Sequence, residues 1–497
     1  MRSNPGTYCR GSLFMVFFYI MAKINADNKK EFVFLWEIRM KSFRIFFISL
    51  LIFIAVPVFA DYNRLGVPDS SEIRKECAER WFYPSLSIIR EFKPEVKVNS
   101  IGQKFQIRLE ETDSVFSVII APETTLTYEF RTDTETRKEA VSEYLADACG
   151  SCILFRDSKT GKPIRIRYYF AKDCDVYVQF SPHGNRTLAD YVIGDCYAAR
   201  SVPVGINFDR LYTASFGEIL TFTENALPWQ YAGIDIGQYL QKKHMIGLIR
   251  KNLSRISWQM DSAYDEDQNP VRVSDGQPRP VSKEEKDGGK LSLSSLGFVK
   301  WVVDGLVEPI AGSGTYINPL YRNTVSVNPL GLAGIRFEKD KLSFSLDWTR
   351  NLAAARLSVQ TRKKYLYEES GVDVKIEPFS AEITENGIKS LAGYVKDTGY
   401  DAKWLRPVMY VLGVTEPTYF YLAAIRKRIP PEAGKTPEIY TFDEAAVIFP
   451  YFDDNQKFRC VVFKDGKEMS LNSFVTKHND CYIHLVRVLS SDRFYPQ

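Results

Sequence analysis

Apolar and polar residues alternate along the first part of the body of this chain. Phe105 and Ile107 fall on one side of an extended backbone, whereas Gln106 and Arg108 fall on the other. Alternation with a period of two is typical of strands that are buried on one face. Because the pattern recurs in several short runs, it predicts a β-rich domain over residues 61–235, built as a sandwich or a barrel.

The pattern changes at residues 236–260, where Ile236, Leu240 and Ile249 approximate helical spacing and basic residues lie between them. This predicts an amphipathic helix, which either packs its apolar stripe on the domain or lies on a membrane surface. Residues 261–292 then combine charge runs with several prolines and glycines. Such a segment is predicted to be a linker that is too polar to bury.

The last part of the chain, residues 293–497, contains both kinds of pattern. A strongly apolar helix is predicted at residues 295–307. Strands are predicted at residues 446–452, 458–463 and 481–488, with turn residues between them. We therefore expect a mixed domain with a buried helix and an antiparallel sheet, which places the whole chain in the α+β class.

An uncharged, apolar segment precedes these predicted domains. Residues 45–60 carry no charge, and Lys41 and Arg44 stand directly before them. The segment ends in Val-Phe-Ala, with the small-residue spacing that signal peptidase reads, so cleavage is predicted between Ala60 and Asp61.

This interpretation divides the start of the chain into two parts. Residues 40–60 form the signal peptide, and residues 1–39 are an upstream extension before the natural start at Met40. The alternative is an uncleaved anchor, in which residues 43–60 stay in the membrane as a single span. Basic residues precede the segment, so the body lies outside the cytoplasm in both cases, in the periplasm or cell envelope.

Composition narrows the chemistry that the body can perform. The net charge is only +4, with 65 basic and 61 acidic residues mixed along the chain, so a nucleic-acid partner is not predicted. Only 4 histidines are present, which argues against a metal site. The glycine-containing stretch at residues 312–315 lacks the preceding strand and the following lysine of a phosphate loop, so no cofactor is predicted.

Cysteines suggest disulfides, which an exported protein can keep. Of 8 cysteines, seven follow the apolar segment at residues 45–60, so at least one stays unpaired or pairs between chains. The possible bridges join Cys149 to Cys152, Cys174 to Cys196 and Cys460 to Cys481. The first pair has CxxC spacing, but an apolar strand follows it where a redox motif has a helix, so a structural role is predicted.

The predicted apolar helix begins with the sequence Ser-Ser-Leu-Gly-Phe-Val at residues 294–299. It resembles the nucleophile helix of the NlpC/P60 cysteine peptidases, papain-like cell-wall hydrolases whose motif reads Asp-Cys-Ser-Gly-Phe-Val. Gly297 and the two residues after it match the family, whereas Ser295 takes the place of the nucleophile and Ser294 that of the aspartate. A hydroxyl is less acidic than a thiol and needs a stronger base to attack.

The resemblance extends over residues 290–490. Glu444 or Asp443 stands before an apolar strand, where the family has its histidine, and His484 in the closing strand corresponds to the polar partner. Since the cysteine and the histidine of the family are both replaced, the resemblance implies a degenerate domain that binds rather than cleaves.

A second candidate nucleophile is Cys196, with His183 or His484 as a base. A disulfide with Cys174 competes with this role. The sequence thus predicts an exported cell-envelope protein of unknown specific role that binds protein or peptidoglycan without catalysis. The alternatives are an envelope hydrolase of the NlpC/P60 type with a substituted nucleophile, and a structural component of the envelope.

Overall fold

Most strands of the protein pair into two antiparallel sheets of ten and six strands. The computed structural model describes residues 66–131, 136–327, 341–429 and 439–497. In chain order, the strands are β1 (Glu95–Val98), β2 (Lys104–Glu111), β3 (Val115–Pro122), β4 (Thr124–Arg131), β5 (Thr136–Glu143), β6 (Cys152–Asp157), β7 (Pro163–Tyr168), β8 (Val176–His183), β9 (Arg186–Ile193), β10 (Cys196–Val204), β11 (Ile256–Trp258), β12 (Ser262–Tyr264), β13 (Pro270–Arg272), β14 (Leu291–Leu293), β15 (Ala381–Thr384), β16 (Gly387–Ser390), β17 (Tyr400–Asp401), β18 (Tyr419–Ile429), β19 (Ile439–Phe452), β20 (Phe458–Lys464), β21 (Lys467–Ser470) and β22 (Tyr482–Leu489).

Helices lie before, between and against these sheets. In chain order they are α1 (Ser71–Cys77), α2 (Leu86–Ile89), α3 (Phe216–Thr223), α4 (Leu240–Asn252), α5 (Lys283–Gly288), α6 (Ser295–Ala311), α7 (Phe344–Thr361), α8 (Tyr367–Ser370), α9 (Leu405–Thr415) and α10 (Leu471–Lys477). Helix α1 begins where Ser70 accepts a hydrogen bond from the Ile73 backbone, an N-cap that satisfies a free donor. The α+β class that the sequence predicts is confirmed.

The first sheet has the strand order β1-β2-β3-β6-β7-β8-β9-β10-β15-β16. It is a single sheet with two edge strands, in place of the sandwich or barrel expected from the alternation. Alternation specifies strands that are buried on one face, but it does not specify how many sheets they form. The last two strands come from the second half of the chain, since Cys196 of β10 pairs with Glu382 of β15. The sheet therefore crosses the expected boundary at residue 235.

One face of this sheet packs on aromatic side chains from the segments around it. The ring of Tyr168 in β7 lies 5.3 Å from that of Phe216 at the start of α3. The ring of Tyr191 in β9 lies 5.7 Å from that of Trp229. These side chains are buried, and their edge-to-face contacts fix the helical segments on the sheet. The opposite face of the sheet carries a smaller apolar cluster and is described below.

The second sheet has the order β17-β22-β18-β19-β20-β21 and packs on α6 and α7. Residues 295–307 of α6 are all buried, including Lys300 and Asp304, whose charged atoms lie 2.5 Å apart. The core between helices and sheet contains Val302, Trp348 and Phe449. The predicted helix at residues 295–307 and the three predicted strands near the end of the chain are confirmed.

The segment predicted to be a polar linker, residues 261–292, is built into the fold. It forms β12, β13, α5 and the start of β14. Two of its charged side chains form a buried ion pair: the side chains of Arg279 and Glu285 are only 3% and 4% exposed, and their charged atoms lie 2.6 Å apart. The linker prediction is wrong because a buried ion pair satisfies groups that composition alone marks as too polar to bury.

Helix α4 also packs on the body, through Met245, Ile246 and Ile249. Ile236 and Leu240, which the sequence pattern placed on the same stripe, are exposed. Lys242 is fully buried, and its ammonium group donates a hydrogen bond to the backbone carbonyl of Pro450. Burial lowers the pKa of Lys242 to about 7, although the nearby Cys460 and Glu416 act in the opposite direction.

This buried lysine predicts a pH-dependent stability. In the unfolded chain Lys242 keeps its proton up to about pH 10.5, whereas the folded protein releases it near pH 7. Between these values the unfolded state binds more protons, so the free energy of unfolding rises with pH. We expect urea titrations to show this rise from pH 7 to about pH 8.5. The rise should be lost in Lys242→Met and kept in Lys251→Met, which changes an exposed lysine of the same helix. Equal pH slopes in the two variants would contradict the assignment.

Residues Leu65–Gln497 form one compact unit. No helix in the described ranges is both long enough and apolar enough to span a bilayer. The predicted signal or anchor at residues 40–60, with its cleavage site at Ala60 and Asp61, lies outside the described residues, as does the predicted extension at residues 1–39.

Candidate functional site

Ser295, the candidate nucleophile, is the first residue of α6 and is buried. The residue before it caps the helix: the Ser294 hydroxyl accepts a hydrogen bond from the Gly297 backbone at 3.2 Å and donates one to the Ser262 carbonyl at 3.0 Å. Among the described side chains, no histidine or carboxylate hydrogen-bonds to the Ser295 hydroxyl. Ser294, at the place of the family's aspartate, therefore caps α6, and among the described residues no base activates Ser295.

Gly297, the glycine of the motif, lies where α6 passes over the backbone of β12. A Cβ atom at this position would lie 2.1 Å from the Ser262 carbonyl oxygen and 3.1 Å from the Ala263 Cα atom. The two following residues, Phe298 and Val299, are buried in the core. Close packing thus accounts for a glycine at position 297 and for apolar residues at positions 298 and 299.

Glu444 lies in β19 between two lysines. Its carboxylate is 2.8 Å from the ammonium group of Lys464 and 3.3 Å from that of Lys427. Burial on its own would raise the pKa of Glu444, but these two cations outweigh burial and hold the pKa below its ordinary value. Glu444 therefore stays ionised and paired, as the partner of two cations.

His484 lies in β22, on the other face of the same sheet from Glu444. Ala424 of β18 pairs with His484, whereas the next residue, Ile425, pairs with Glu444. Paired residues share a face and successive residues alternate, so the two side chains point to opposite sides of the sheet. The structure does not bring these two candidates together.

His484 belongs instead to a buried ionic cluster, which we call the Arg350 cluster. Its members are Arg350, Tyr367, Asp373, Asp397 and His484. The Arg350 guanidinium donates two hydrogen bonds to Asp373, at 2.8 and 3.1 Å, and one to Asp397 at 2.8 Å. Tyr367 donates a further hydrogen bond to Asp373 at 2.8 Å, and its ring lies 4.5 Å from the guanidinium carbon.

The Arg350 cluster holds two carboxylates around one guanidinium group. Burial would raise the pKa of Asp373, but its basic neighbours His484 and Arg350 outweigh burial and hold the pKa well below the usual range. Burial lowers the pKa of His484, although Asp373 acts in the opposite direction. Its Nε2 atom lies 3.3 Å from the Arg350 Nη2, which can only donate, and its buried Nδ1 has no partner among the described residues. His484 therefore packs within the cluster, and no hydrogen bond among the described residues joins it to Ser295 or Cys196.

Cys196, the second candidate nucleophile, is buried at the start of β10. Burial and the nearby carboxylates of Glu382 and Asp195 raise the pKa of its thiol to about 12. A reactive cysteine needs the opposite environment, because the thiolate is the nucleophile. His183, one of its possible bases, is exposed at the end of β8.

All seven described cysteines are free thiols, so none of the three expected bridges is present. Cys460 lies in β20 and Cys481 directly precedes β22, and β18 and β19 separate these two strands in the sheet. Three strand spacings amount to about 14 Å, beyond the reach of a disulfide. Strand β9 likewise separates Cys196 from the strand that follows Cys174.

The thiols of the CxxC sequence also face different surroundings. Cys149 donates a hydrogen bond to the Phe170 carbonyl at 3.3 Å. Burial raises the pKa of Cys152 to about 11, and the Arg74 and Tyr168 side chains lie beside its thiol. Neither environment favours the low thiol pKa of a redox motif.

The other face of the ten-stranded sheet, opposite the rings of Tyr168 and Tyr191, carries a set of stacked arginines that the sequence patterns above do not single out. We call it the arginine face, and its residues are Phe155, Arg165, Arg167, Tyr177, Tyr197 and Arg200. The guanidinium carbon of Arg165 lies 4.6 Å from the Phe155 ring centre. That of Arg167 lies 3.9 Å from the Tyr177 ring centre. The signal in the sequence is the alternation Ile-Arg-Ile-Arg at residues 164–167, which places both arginines on one side of β7.

The arginine face has an excess of positive charge. Among the described residues, Arg165, Arg167 and Arg200 form no ion pair, and the Nε atoms of the first two are buried without a hydrogen-bond partner. Asp190 of β9, a carboxylate on this face, accepts hydrogen bonds from the Ser201 backbone at 2.6 Å and from Gln179 at 3.0 Å. Its oxygens are therefore engaged by neutral donors.

Comparison with known proteins assigns no activity to these sites. Residues 63–231 match a family described as "Domain of unknown function (DUF8515)". The matched stretch contains β1 to β10, and thus the whole arginine face, and it ends before α4. No curated protein and no solved structure matches the chain.

Proposed function

We propose that this protein is a non-catalytic binding protein of the cell envelope that recognises peptidoglycan. The uncharged segment at residues 45–60, with basic residues before it, supports export. The large described body, with two sheets and many buried aromatic residues, supports a stable binding scaffold.

One observation supports the non-catalytic part of the proposal: among the described residues, no candidate nucleophile hydrogen-bonds to a candidate base. Ser295 is the first residue of a capped helix, and no histidine or carboxylate among the described side chains hydrogen-bonds to its hydroxyl. His484 and Glu444 contact separate sets of charged residues, Arg350 with Asp373 and Lys427 with Lys464. The pKa of the Cys196 thiol is raised to about 12, far from the range of an activated nucleophile.

Incubation with purified cell-wall sacculi tests this proposal. We expect the protein to sediment with the sacculi and to release no soluble wall fragments, as followed by chromatography of the supernatant. Ser295→Ala and Cys196→Ala should sediment as the wild type does, because both side chains are buried and do not face a ligand at the surface. Release of fragments by the wild type, lost in either variant, would instead establish the hydrolase with a substituted nucleophile. If the protein does not sediment with the sacculi, the binding proposal is wrong, and the structural component of the envelope becomes the remaining alternative.

A further inference from the structure

The arginine face brings planar cations together on one side of a rigid sheet. In the register of the sheet, Phe155 of β6 pairs with Arg165 of β7, and Arg167 of β7 pairs with Gln179 of β8. The two arginines therefore share a face, and their Cα atoms lie about 6.8 Å apart. They occupy the middle of the sheet, where strands on both sides restrict backbone motion.

Aromatic rings lie next to both guanidinium groups and fix their positions on the sheet. Arg165 stacks on Phe155, and Arg167 lies between Phe155 at 5.4 Å and Tyr177 at 3.9 Å. Stacking covers one face of a guanidinium and leaves its N–H edge available for hydrogen bonds. Arg167 uses part of this edge to donate to Gln179 at 3.2 Å and to the Tyr169 hydroxyl at 3.3 Å. No hydrogen bond to Arg165 is present among the described residues.

The electrostatic cost of this arrangement indicates a missing anion. Burial and the neighbouring Arg167 lower the pKa of Arg165, so the folded protein holds this charge unfavourably. Other buried arginines of the described chain either have a carboxylate partner, as Arg279 and Arg350 do, or lie without one, as Arg356 does. Arg165 differs from Arg356 because a second arginine, Arg167, lies beside it and adds its repulsion to the effect of burial. A guanidinium edge matches a planar carboxylate in a bidentate geometry, which makes an external carboxylate the complementary partner.

We propose that the arginine face binds the carboxylates of peptidoglycan, with one carboxylate at Arg165 and a second at Arg167. This inference rests on the proposed function, and it adds the chemical group that is recognised and the surface that recognises it. A polymer with repeated carboxylates suits the site, because two neighbouring contacts on one chain strengthen each other through high effective concentration.

The test compares variants of the full chain in sedimentation with purified sacculi at low salt. Exchanging both arginines, R165Q with R167Q, should weaken binding at least about tenfold, which corresponds to the loss of one charge-assisted contact. R165K with R167K keeps the charge but loses the planar edge, and should bind with intermediate affinity. The matched control is R186Q, which removes an exposed arginine at the start of β9 and should bind as the wild type does.

A second arm requires no variant and so does not depend on their folding. Sacculi whose carboxylates have been converted to amides should bind the wild-type protein as weakly as untreated sacculi bind the double glutamine variant. Far-UV circular dichroism and urea midpoints report whether each variant is folded. Binding that is unchanged by amidation, or unchanged in a folded double variant, would overturn the assignment.

Soluble polyglutamate separates this inference from the proposed function. Sedimentation with sacculi that does not depend on the arginines would leave the envelope function standing and refute the role of the face. Binding to polyglutamate that requires Arg165 and Arg167, without binding to sacculi, would support the carboxylate site and refute peptidoglycan as the ligand. Either polyanion can also be added as a competitor that releases the protein from sacculi. If polyphosphate releases the protein at a lower concentration of anionic groups than polyglutamate does, carboxylate is not the preferred ligand group.

Discussion

Arg350→Met should destabilise the protein by about 3 to 5 kcal/mol, because it removes one partner of a buried ion pair. The Arg350 side chain is fully buried and is the only cation that donates to both Asp373 and Asp397 among the described residues. Without it, the buried Asp373 carboxylate loses two hydrogen bonds at 2.8 and 3.1 Å. The measurement is the free energy of unfolding from urea titration at pH 7.

The control for this prediction is Arg90→Met, which breaks the exposed ion pair with Glu111. Water solvates the carboxylate that remains, so we expect little or no change in the urea midpoint. Arg350→Lys should recover only part of the loss, because an ammonium group cannot reproduce the forked contact with Asp373. A loss in Arg350→Met no larger than that in Arg90→Met would mean that the cluster contributes no more than a surface pair.

Gly297→Ala should cost about 3 kcal/mol, near the upper end of the usual range for overpacking. The added methyl group would lie 2.1 Å from the Ser262 carbonyl oxygen. This atom belongs to the backbone and already accepts hydrogen bonds from the Ser294 backbone and hydroxyl. Helix α6 must therefore shift away from β12 as a whole, which also disturbs the core around Phe298.

Gly247→Ala in α4 is the matched control, since a Cβ atom there meets nothing within 4 Å. Alanine favours a helix over glycine by about 1 kcal/mol, so this variant should be as stable as the wild type or more stable. Thermal and urea unfolding of the two variants would measure the difference. If both alanine variants lose stability equally, close packing is not the reason for glycine at position 297.

The elements that the sequence predicts best are those with a local cause. The start of α6 follows from a serine cap before an apolar run, and β20 and β22 follow from short apolar runs between turn residues. The sequence could not reveal that β15 joins β10, because nothing local to Ala381 or Cys196 specifies a partner so far along the chain. Sheet order is decided by tertiary packing rather than by periodicity.

The same distinction separates the parts of the candidate sites. Alternation in β7 was sufficient to place Arg165 and Arg167 on one side, but it could not show which rings lie beneath them. The sequence does not reveal the Arg350 cluster, because its members come from α7, α8, β22 and the loops between them. His484 is a candidate because of its chemistry, but the residues it contacts, Arg350 and Tyr394, lie far from it along the chain. Single residues were visible in the sequence, whereas their pairing was not.

Strands β15 and β16 have a consequence for the order in which this protein can fold. As the chain emerges from the ribosome or a translocation pore, β1 to β10 appear long before the two strands that complete their sheet. Until then the β10 edge, with the carbonyl groups of Asp195 and Tyr197, has no partner from Ser380 and Ile383. The nascent first half therefore passes through a stage with an open, pairing-competent edge, at which a chaperone would have most to protect.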